Sequence, residues 1–280
     1  MNNTLSEPDQ IVASPSHYKK SVKLEEERLQ NVTGLKDYGM IHERHRIFPE
    51  IFEKRNHKKI LDIAAGVGVV ADRINRLYDG IIIGNDISPK CIASLQSLGI
   101  QTMSFDIDDS KHPFPISDAG FDAIIALATI EHLYNTDHFI YEIRRCLTDD
   151  GYLYLSAPNY NALGYLIPML KTGKTFHDPL NSKERYEFFA HLRYFTYRTL
   201  LEYVSSFGFQ PECVYLGLPE GSTKFLKLKE TSAIKASVFR LSMKALYRIT
   251  SPRWASEPVI CFKKTKYRSI KKEKIRKVIL

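Results

Sequence analysis

The sequence predicts a doubly wound α/β domain on a mostly parallel, seven-stranded sheet, with helices on both faces. Three observations carry that expectation. Short, mainly apolar runs recur, at Ile60–Ala64, Ile81–Ile83, Phe121–Ala128 (wholly apolar after Asp122) and Tyr152–Ser156. Stretches with helical spacing alternate with them, and a small-residue turn follows the first run. Strands buried on both faces read as continuous apolar runs, and parallel neighbours need a crossover helix between them. A chain of 280 residues suits one large domain with a small appendage.

The elements follow in order. Residues 1–20, with Pro8 and Pro15, read as a loose leader. A helix begins near Val22 and a turn falls at Gly34, so residues 1–37 stand before the domain proper. Within the domain, 38–262, Ile41–Arg55 reads as a helix. The first strand, Ile60–Ala64, runs into Ala65-Gly66-Val67-Gly68 and a helix over Val69–Tyr78. The second strand is Gly80–Gly84, and a helix over Pro89–Leu98 leads to the third, Ile100–Phe105. The fourth is Phe121–Ala128, and a helix over Asp137–Leu147 precedes the fifth, Tyr152–Ser156. Asn159–Arg193 then breaks the rhythm. It carries Tyr160, Tyr165, Phe176, Tyr186, Phe188 and Phe189 without clean periodicity, and it is expected to overhang the ligand crevice as a lid. A helix over Phe195–Phe207, a strand over Gln210–Leu216, a helix over Ser232–Ile249 and a strand over Glu257–Phe262 complete the domain.

Composition excludes other classes. With 44% hydrophobic and 26% charged residues, the chain is neither disordered nor collagen-like. Cys91, Cys146, Cys213 and Cys261 form no CxxC pair, so neither a zinc framework nor a disulfide scaffold is expected. No apolar run reaches the ~18 residues of a spanning helix. The start has no signal-peptide pattern, and a reducing, cytoplasmic setting follows as the expectation. The net charge of +8 is unevenly placed. Residues 263–280 hold nine basic residues and one acid, whereas 1–262 hold 31 of each sign. The basicity belongs to a tail.

A nucleoside site is read at the strand ends. Ala64, Gly66 and Gly68 let a ligand approach the backbone, and Asp86 ends the second strand where a carboxylate can accept both ribose hydroxyls. Gly66-x-Gly68-x-x-Ala71 also satisfies a dinucleotide fingerprint, which keeps an NAD(P)-dependent oxidoreductase as a rival reading. Asp62 argues against it. A carboxylate there repels a pyrophosphate and attracts a sulfonium or ammonium. Asp106, after the third strand, can accept from an adenine amino group. Three acids at successive strand ends make a pocket for a cationic nucleoside.

Lys59–Ile74, KILDIAAGVGVVADRI, resembles motif I of class I S-adenosylmethionine-dependent methyltransferases. PFPISDAGFDAIIALATIEHL and DHFIYEIRRCLTDDGYLYLSAPN resemble the rest of that Rossmann-like domain, over residues 38–215. Ala64 and Ala65 stand where the family usually has Gly and Cys. The resemblance implies S-adenosylmethionine as methyl donor, S-adenosylhomocysteine as product, and kinship with bacterial sugar, glycan and quinone methyltransferases. It assigns Asp62, Gly66 and Gly68 to the methionine part, Asp86 to the ribose, and Asp106 with Ile107 to adenine. Ile87 packs on the adenine face in this reading, and Leu127 is counted with the cofactor residues. A shared Pro158-Asn159 shapes the crevice edge, and a His-x-x-x-Phe run beginning at His191 sends a second polar group to the pocket.

At the reacting end a hydroxyl acceptor needs a base, and His suits neutral pH. Glu131-His132 follows the fourth strand, so His132 is the first candidate, with Glu131 and His191 beside it. Small-RNA 2′-O-methyltransferases and some quinone methyltransferases hold a divalent metal with Glu-x-x-Glu-His. Here the first Glu position is Ala128, and no metal is expected. The acceptor is expected to be a small molecule, glycan or lipid-linked group. An RNA 2′-O-methyltransferase and a non-catalytic cofactor-binding module stand as rivals, and nucleic acid ranks below the other partners. Ile234, Val238, Leu241, Ala245 and Ile249 form a helical stripe with Lys235, Arg240, Lys244 and Arg248 largely off it. The stripe either packs on the domain or, with the tail, rests peripherally on the inner face of a membrane.

Overall fold

In the computed structural model, eight strands form one sheet: β1 (Lys59–Ile63), β2 (Ile81–Asn85), β3 (Gln101–Met103), β4 (Phe121–Leu127), β5 (Leu147–Ser156), β6 (Phe209–Leu216), β7 (Val259–Lys264) and β8 (Arg276–Ile279). Residues 22–280 are described, except 24–25, 40, 175–176, 178, 181–187, 189 and 267–274. The expected leader, and Phe176, Tyr186 and Phe189 of the lid, lie outside the described residues. The strand order is β3-β2-β1-β4-β5-β7-β6-β8. β1 to β5 run parallel, β7 is antiparallel to β5 and β6, and β8 is parallel to β6. Strand order reverses between β1 and β4, and at such a switch point the strand ends leave a crevice for a ligand.

Alternation along each strand divides the core into two layers. Ile124 and Ala126 of β4 join Leu61, Phe139, Ile143 and Val204 on one face. Ala123 and Ile125 join Phe48, Phe52, Ile74 and Leu95 on the other. Successive side chains of a strand point to opposite faces, so a strand covered on both sides must be apolar throughout.

The helices are α1 (Glu43–Arg46), α2 (Val69–Leu77), α3 (Pro89–Ser97), α4 (Thr136–Cys146), α5 (Leu163–Thr172), α6 (Tyr197–Ser206), α7 (Thr223–Thr231) and α8 (Ala233–Ile249). The single helix expected over Ile41–Arg55 is instead α1 and a 3-10 turn at Glu50–Phe52. Pro49 lacks an N–H and disfavours helix at the preceding residue. Apolar spacing survives the break, because Phe48 and Phe52 still pack on Tyr154. α5 and α7 were not expected.

The sheet has one strand more than the seven expected, and it comes from the basic tail. Cys213–Leu216 of β6 pair in register with Arg276–Ile279. Arg276 donates to both carboxylate oxygens of Glu53 at 2.7 Å. The Lys277 ammonium donates to carbonyls at the end of α8, those of Arg248 at 2.9 Å and Thr250 at 2.7 Å, and that of Tyr247. β7 likewise extends into the tail, where Lys263 pairs with Asp150 at 3.0 Å and Lys264 donates to the Leu147 carbonyl at 2.7 Å. Lysine and arginine dominated the composition of residues 263–280 and hid the apolar pair Val278-Ile279.

Removing residues 275–280 uncovers the β6 edge and the carbonyls ending α8. We expect a loss of about 2 kcal/mol or more, roughly a 5 °C drop in Tm. An unchanged melting curve would mean that β8 adds nothing to stability.

Candidate active site

The chain turns sharply after β1. Ala64, Gly66 and Gly68 adopt φ of 53°, 55° and 91°, the left-handed region that suits glycine. Gly68 is fixed by packing as well, since a Cβ there would lie 2.9 Å from Leu95. A Cβ on Gly66 would meet no atom within 4 Å, so at Gly66 the backbone lies open to the cleft. Ala64 adopts the same conformation with a methyl group, at a cost of about 1 kcal/mol.

Asp86 organises the turn. Its Oδ2 accepts from the Gly66 N–H at 2.9 Å, and its Oδ1 accepts from the Ser88 N–H at 2.9 Å. A carboxylate at the end of the second strand is also the group expected to accept ribose hydroxyls. Asp62 is buried at the end of β1. Burial, reinforced by the Asp86 charge, pushes its carboxyl up to about 8. Near neutral pH it is therefore largely a neutral acid, and a cation beside it would restore its charge. Asp106 is half-buried past β3, and its Oδ1 accepts from the Asp108 N–H at 2.9 Å. Ile87 and Leu127 are half-buried at the strand ends. Ile107 follows Asp106. Its side chain is 7% exposed and packs with the core cluster that holds Phe114 and Leu133.

The segment before the domain covers this turn. Leu29 is buried with Val67, Val69 and Cys91, and Val32, Leu35 and Tyr38 pack beside them. Glu26 accepts from the Ser88 hydroxyl at 2.8 Å.

The second half of the site begins where β4 ends. Ile130–His132 form a 3-10 turn. The Glu131 carbonyl accepts from the Leu192 and Arg193 N–H groups at 2.8 and 3.0 Å, which ties the chain at 192–193 to the turn. Its carboxyl is 1% exposed, and neither oxygen has a hydrogen-bond partner among the described residues. Burial and the nearby Glu257 charge push it up to about 8. His132 Nδ1 lies 3.1 Å from the Ala190 carbonyl. A carbonyl only accepts, so Nδ1 carries the hydrogen and Nε2 is the basic nitrogen. That Nε2 is 3.9 Å from Glu131 Oε1. His191 packs edge-on against His132 at 4.7 Å and against His177 at 4.8 Å. Burial, with His132 and His177 adding to it, lowers His191 to about 3. It stays neutral and is a weak proton acceptor.

Sequence reasoning brought Glu131, His132 and His191 to one place but missed their surroundings. The Tyr160 hydroxyl bridges His191 Nδ1 at 2.9 Å and His177 Nε2 at 3.2 Å, and Tyr165 and Tyr194 pack on its ring. Glu257, just before β7, pairs with Arg44 and accepts from the Ser156 hydroxyl at 2.9 Å. An acid at the mouth of the last strand was the available signal for Glu257. Nothing local marked His177 or Arg44.

The ligand atoms of Glu131, His132 and His191 lie within 4.8 Å of one another. One carboxylate and two imidazoles form a donor set for a transition ion more than for Mg²⁺. Ligands held at ~2.0–2.2 Å from a zinc ion in tetrahedral geometry sit about 3.5 Å apart, so the cluster would have to contract around one.

Residues 33–214 match the family model described as a methyltransferase domain. Ajmaline N-methyltransferase of Rauvolfia serpentina is 32% identical over 103 residues, 35% of this chain and 35% of that protein. Ubiquinone biosynthesis O-methyltransferase of Glaesserella parasuis is 27% identical over 117 residues, 39% of this chain and 49% of that protein. The chain thus spans a third to a half of the length of these relatives. A crystal structure from Thermotoga maritima, described as an S-adenosylmethionine-dependent methyltransferase and possible histamine N-methyltransferase, superposes with a TM-score of 0.56 at 14% identity. The match covers 89% of this chain and 99% of that one.

Two outcomes are expected of the cofactor half. Asp86→Ala should weaken S-adenosylmethionine binding by about ten- to a hundredfold in calorimetry, as for a lost hydrogen bond to a charged group. Unchanged affinity would misplace the ribose site. Because Asp62 is raised in the empty protein, binding a sulfonium should expel its proton, and affinity should climb with pH until about 8. The binding heat at pH 7 should depend on the buffer's ionisation heat, and Asp62→Asn should remove that dependence. The same raised carboxyl makes the empty protein lose stability as pH rises from the ordinary carboxylate range through about 8.

Proposed function

We infer that this chain, which belongs to the methyltransferase domain family, moves the methyl group of S-adenosylmethionine onto a hydroxyl of a small molecule, glycan or lipid-linked acceptor. The observation that carries the reading is the tautomer of His132. With Nδ1 committed to the Ala190 carbonyl, Nε2 is the basic nitrogen and lies 3.9 Å from Glu131 Oε1, past the end of β4.

S-adenosylmethionine supplies an electrophilic methyl group on a sulfonium, already a good leaving group. What remains for the protein is alignment, exclusion of water and removal of one proton. In an in-line displacement the acceptor oxygen forms the new bond to carbon as the carbon–sulfur bond breaks, and the hydroxyl proton passes to His132 Nε2. Alignment can supply several kcal/mol of the barrier, and a positioned base contributes about 10²–10⁴-fold. Glu131, largely protonated near neutral pH, can donate to the acceptor without presenting a negative charge. His191, neutral and bonded to Tyr160, serves as an orienting group. Aromatic walls at Tyr160, Tyr165 and Tyr194 suit a flat or sugar ring. An amine acceptor fits the same walls, and N-methylation is the second reading.

This reading needs no metal. The three-donor cluster supports a rival in which an ion at Glu131, His132 and His191 activates the acceptor oxygen, and family membership removes the support for a nicotinamide enzyme. Incubating the protein with tritiated S-adenosylmethionine and cell extract, then fractionating lipid, glycan, protein and RNA, identifies the acceptor. Label confined to RNA would refute the small-molecule assignment.

With the acceptor in hand, His132→Gln should lower kcat by about 10²-fold or more while S-adenosylmethionine affinity is kept, and His191→Ala should act mainly on the acceptor KM. A loss confined to KM in His132→Gln would make His132 an orienting group. Excess chelator should leave turnover intact. Abolition by chelator with recovery on Zn²⁺ or Mn²⁺ would favour the metal reading.

A further inference from the structure

The stripe Ile234, Val238, Leu241 and Ile249 does not pack on the domain. These four side chains are 77%, 61%, 61% and 84% exposed. α8 packs through its opposite face, where Ala236 is buried and Phe239, Met243 and Tyr247 are half-buried. At 3.6 residues per turn these two sets fall on opposite sides of the helix. A second apolar helix is also uncovered. In α5, Leu163, Ile167, Met169 and Leu170 are 43%, 46%, 45% and 80% exposed, and no residue of α5 is fully buried.

Both helices join one short segment at the acceptor end of the site. α8 ends at Ile249 and leads through a 3-10 turn at Pro252–Trp254 to Glu257. Asn159, four residues before α5, donates its side-chain amide to the Arg253 and Ala255 carbonyls at 2.7 Å and its backbone N–H to the Ser256 carbonyl at 2.8 Å. Residues 251–256 therefore tie the end of α8 to the segment that opens α5, next to Glu257.

We propose that this face docks on an anionic lipid bilayer, with α8 lying flat in the headgroup region and α5 beside it. Charge selects the occupant. α8 has no Asp or Glu over residues 233–249, and exposed Lys235 and Arg248 and half-buried Lys244 border its stripe. Arg253 stacks on the Trp254 ring at 4.4 Å, a cationic and aromatic pair suited to a headgroup layer. A second copy of the chain would set these cations against like charge, whereas an anionic leaflet offsets them. No described helix is long and apolar enough to cross the membrane, so contact is from one side. Basic flanks with an apolar stripe are what an interfacial helix requires, and each cation held near an anionic surface contributes about fivefold to partitioning. The docking does not depend on which acceptor is methylated.

The test uses the full chain and two kinds of vesicle, phosphatidylcholine alone and phosphatidylcholine with about 30 mol% phosphatidylglycerol. Flotation should show at least tenfold tighter binding to the anionic vesicles, weakened by high salt. Trp254, the single tryptophan, should be quenched by brominated lipid. V238D/L241D should lose about tenfold or more of the binding while keeping its circular dichroism, Tm and S-adenosylmethionine affinity. L241K, which removes apolar surface but adds a cation, should bind more weakly than wild type at high salt. Equal binding to both vesicles, no binding to either, or binding unaltered in V238D/L241D would overturn the proposal. So would a concentration-dependent dimer, or RNA retention, abolished by that variant in place of vesicle binding.

Discussion

The contact between the Gly66 N–H and Asp86 links the two strands on which the cofactor half depends. It closes the turn after β1 onto the end of β2 and holds Gly66 where an added Cβ would face empty space. It also fixes a carboxylate near Asp62. Two acids this close in a buried cleft cannot both ionise cheaply, and the raised Asp62 carboxyl records that cost. The sheet supplies the geometry through its reversal of strand order, and the carboxyl pair supplies the preference for positive charge.

Much of this half was legible in the sequence because its determinants are local. Ala64, Gly66, Gly68 and Asp86 lie within one strand–turn–helix–strand unit, and the short spacing fixes their places once the strands are recognised. The burial of Ile107 in the core was not legible, because past the end of a strand a side chain can point to the ligand or to the core, and periodicity does not separate the two. The acceptor half was only partly legible. Glu131 and His132 follow a strand and could be placed, but His177, Arg44 and Glu257 reach them from distant segments. Their meeting depends on how Leu192 and Arg193 return to the Glu131 carbonyl, and no spacing rule encodes that.

Charge taught a similar lesson. The surplus of the last eighteen residues reads as an appendage, yet Lys263 and Lys264 are bound to Asp150 and the Leu147 carbonyl of β5, and Arg276 and Lys277 to Glu53 and the carbonyls ending α8. A basic composition says where a chain is positive, not whether those cations are available. In contrast, the α8 stripe was weighed as a packing face and turned out to be the outer one. Amphipathic spacing defines a face without saying what covers it.

The perturbed Asp62 also bears on how a catalytic cycle ends. In the proposed methyl transfer the sulfonium becomes an uncharged thioether. The charge that would hold Asp62 ionised beside Asp86 would then be lost, and the carboxyl would take a proton back from solvent. On that reading the spent donor would be held less firmly than the fresh one by the same two carboxyls, and a pocket that favours a cation would carry its own means of ejecting the product.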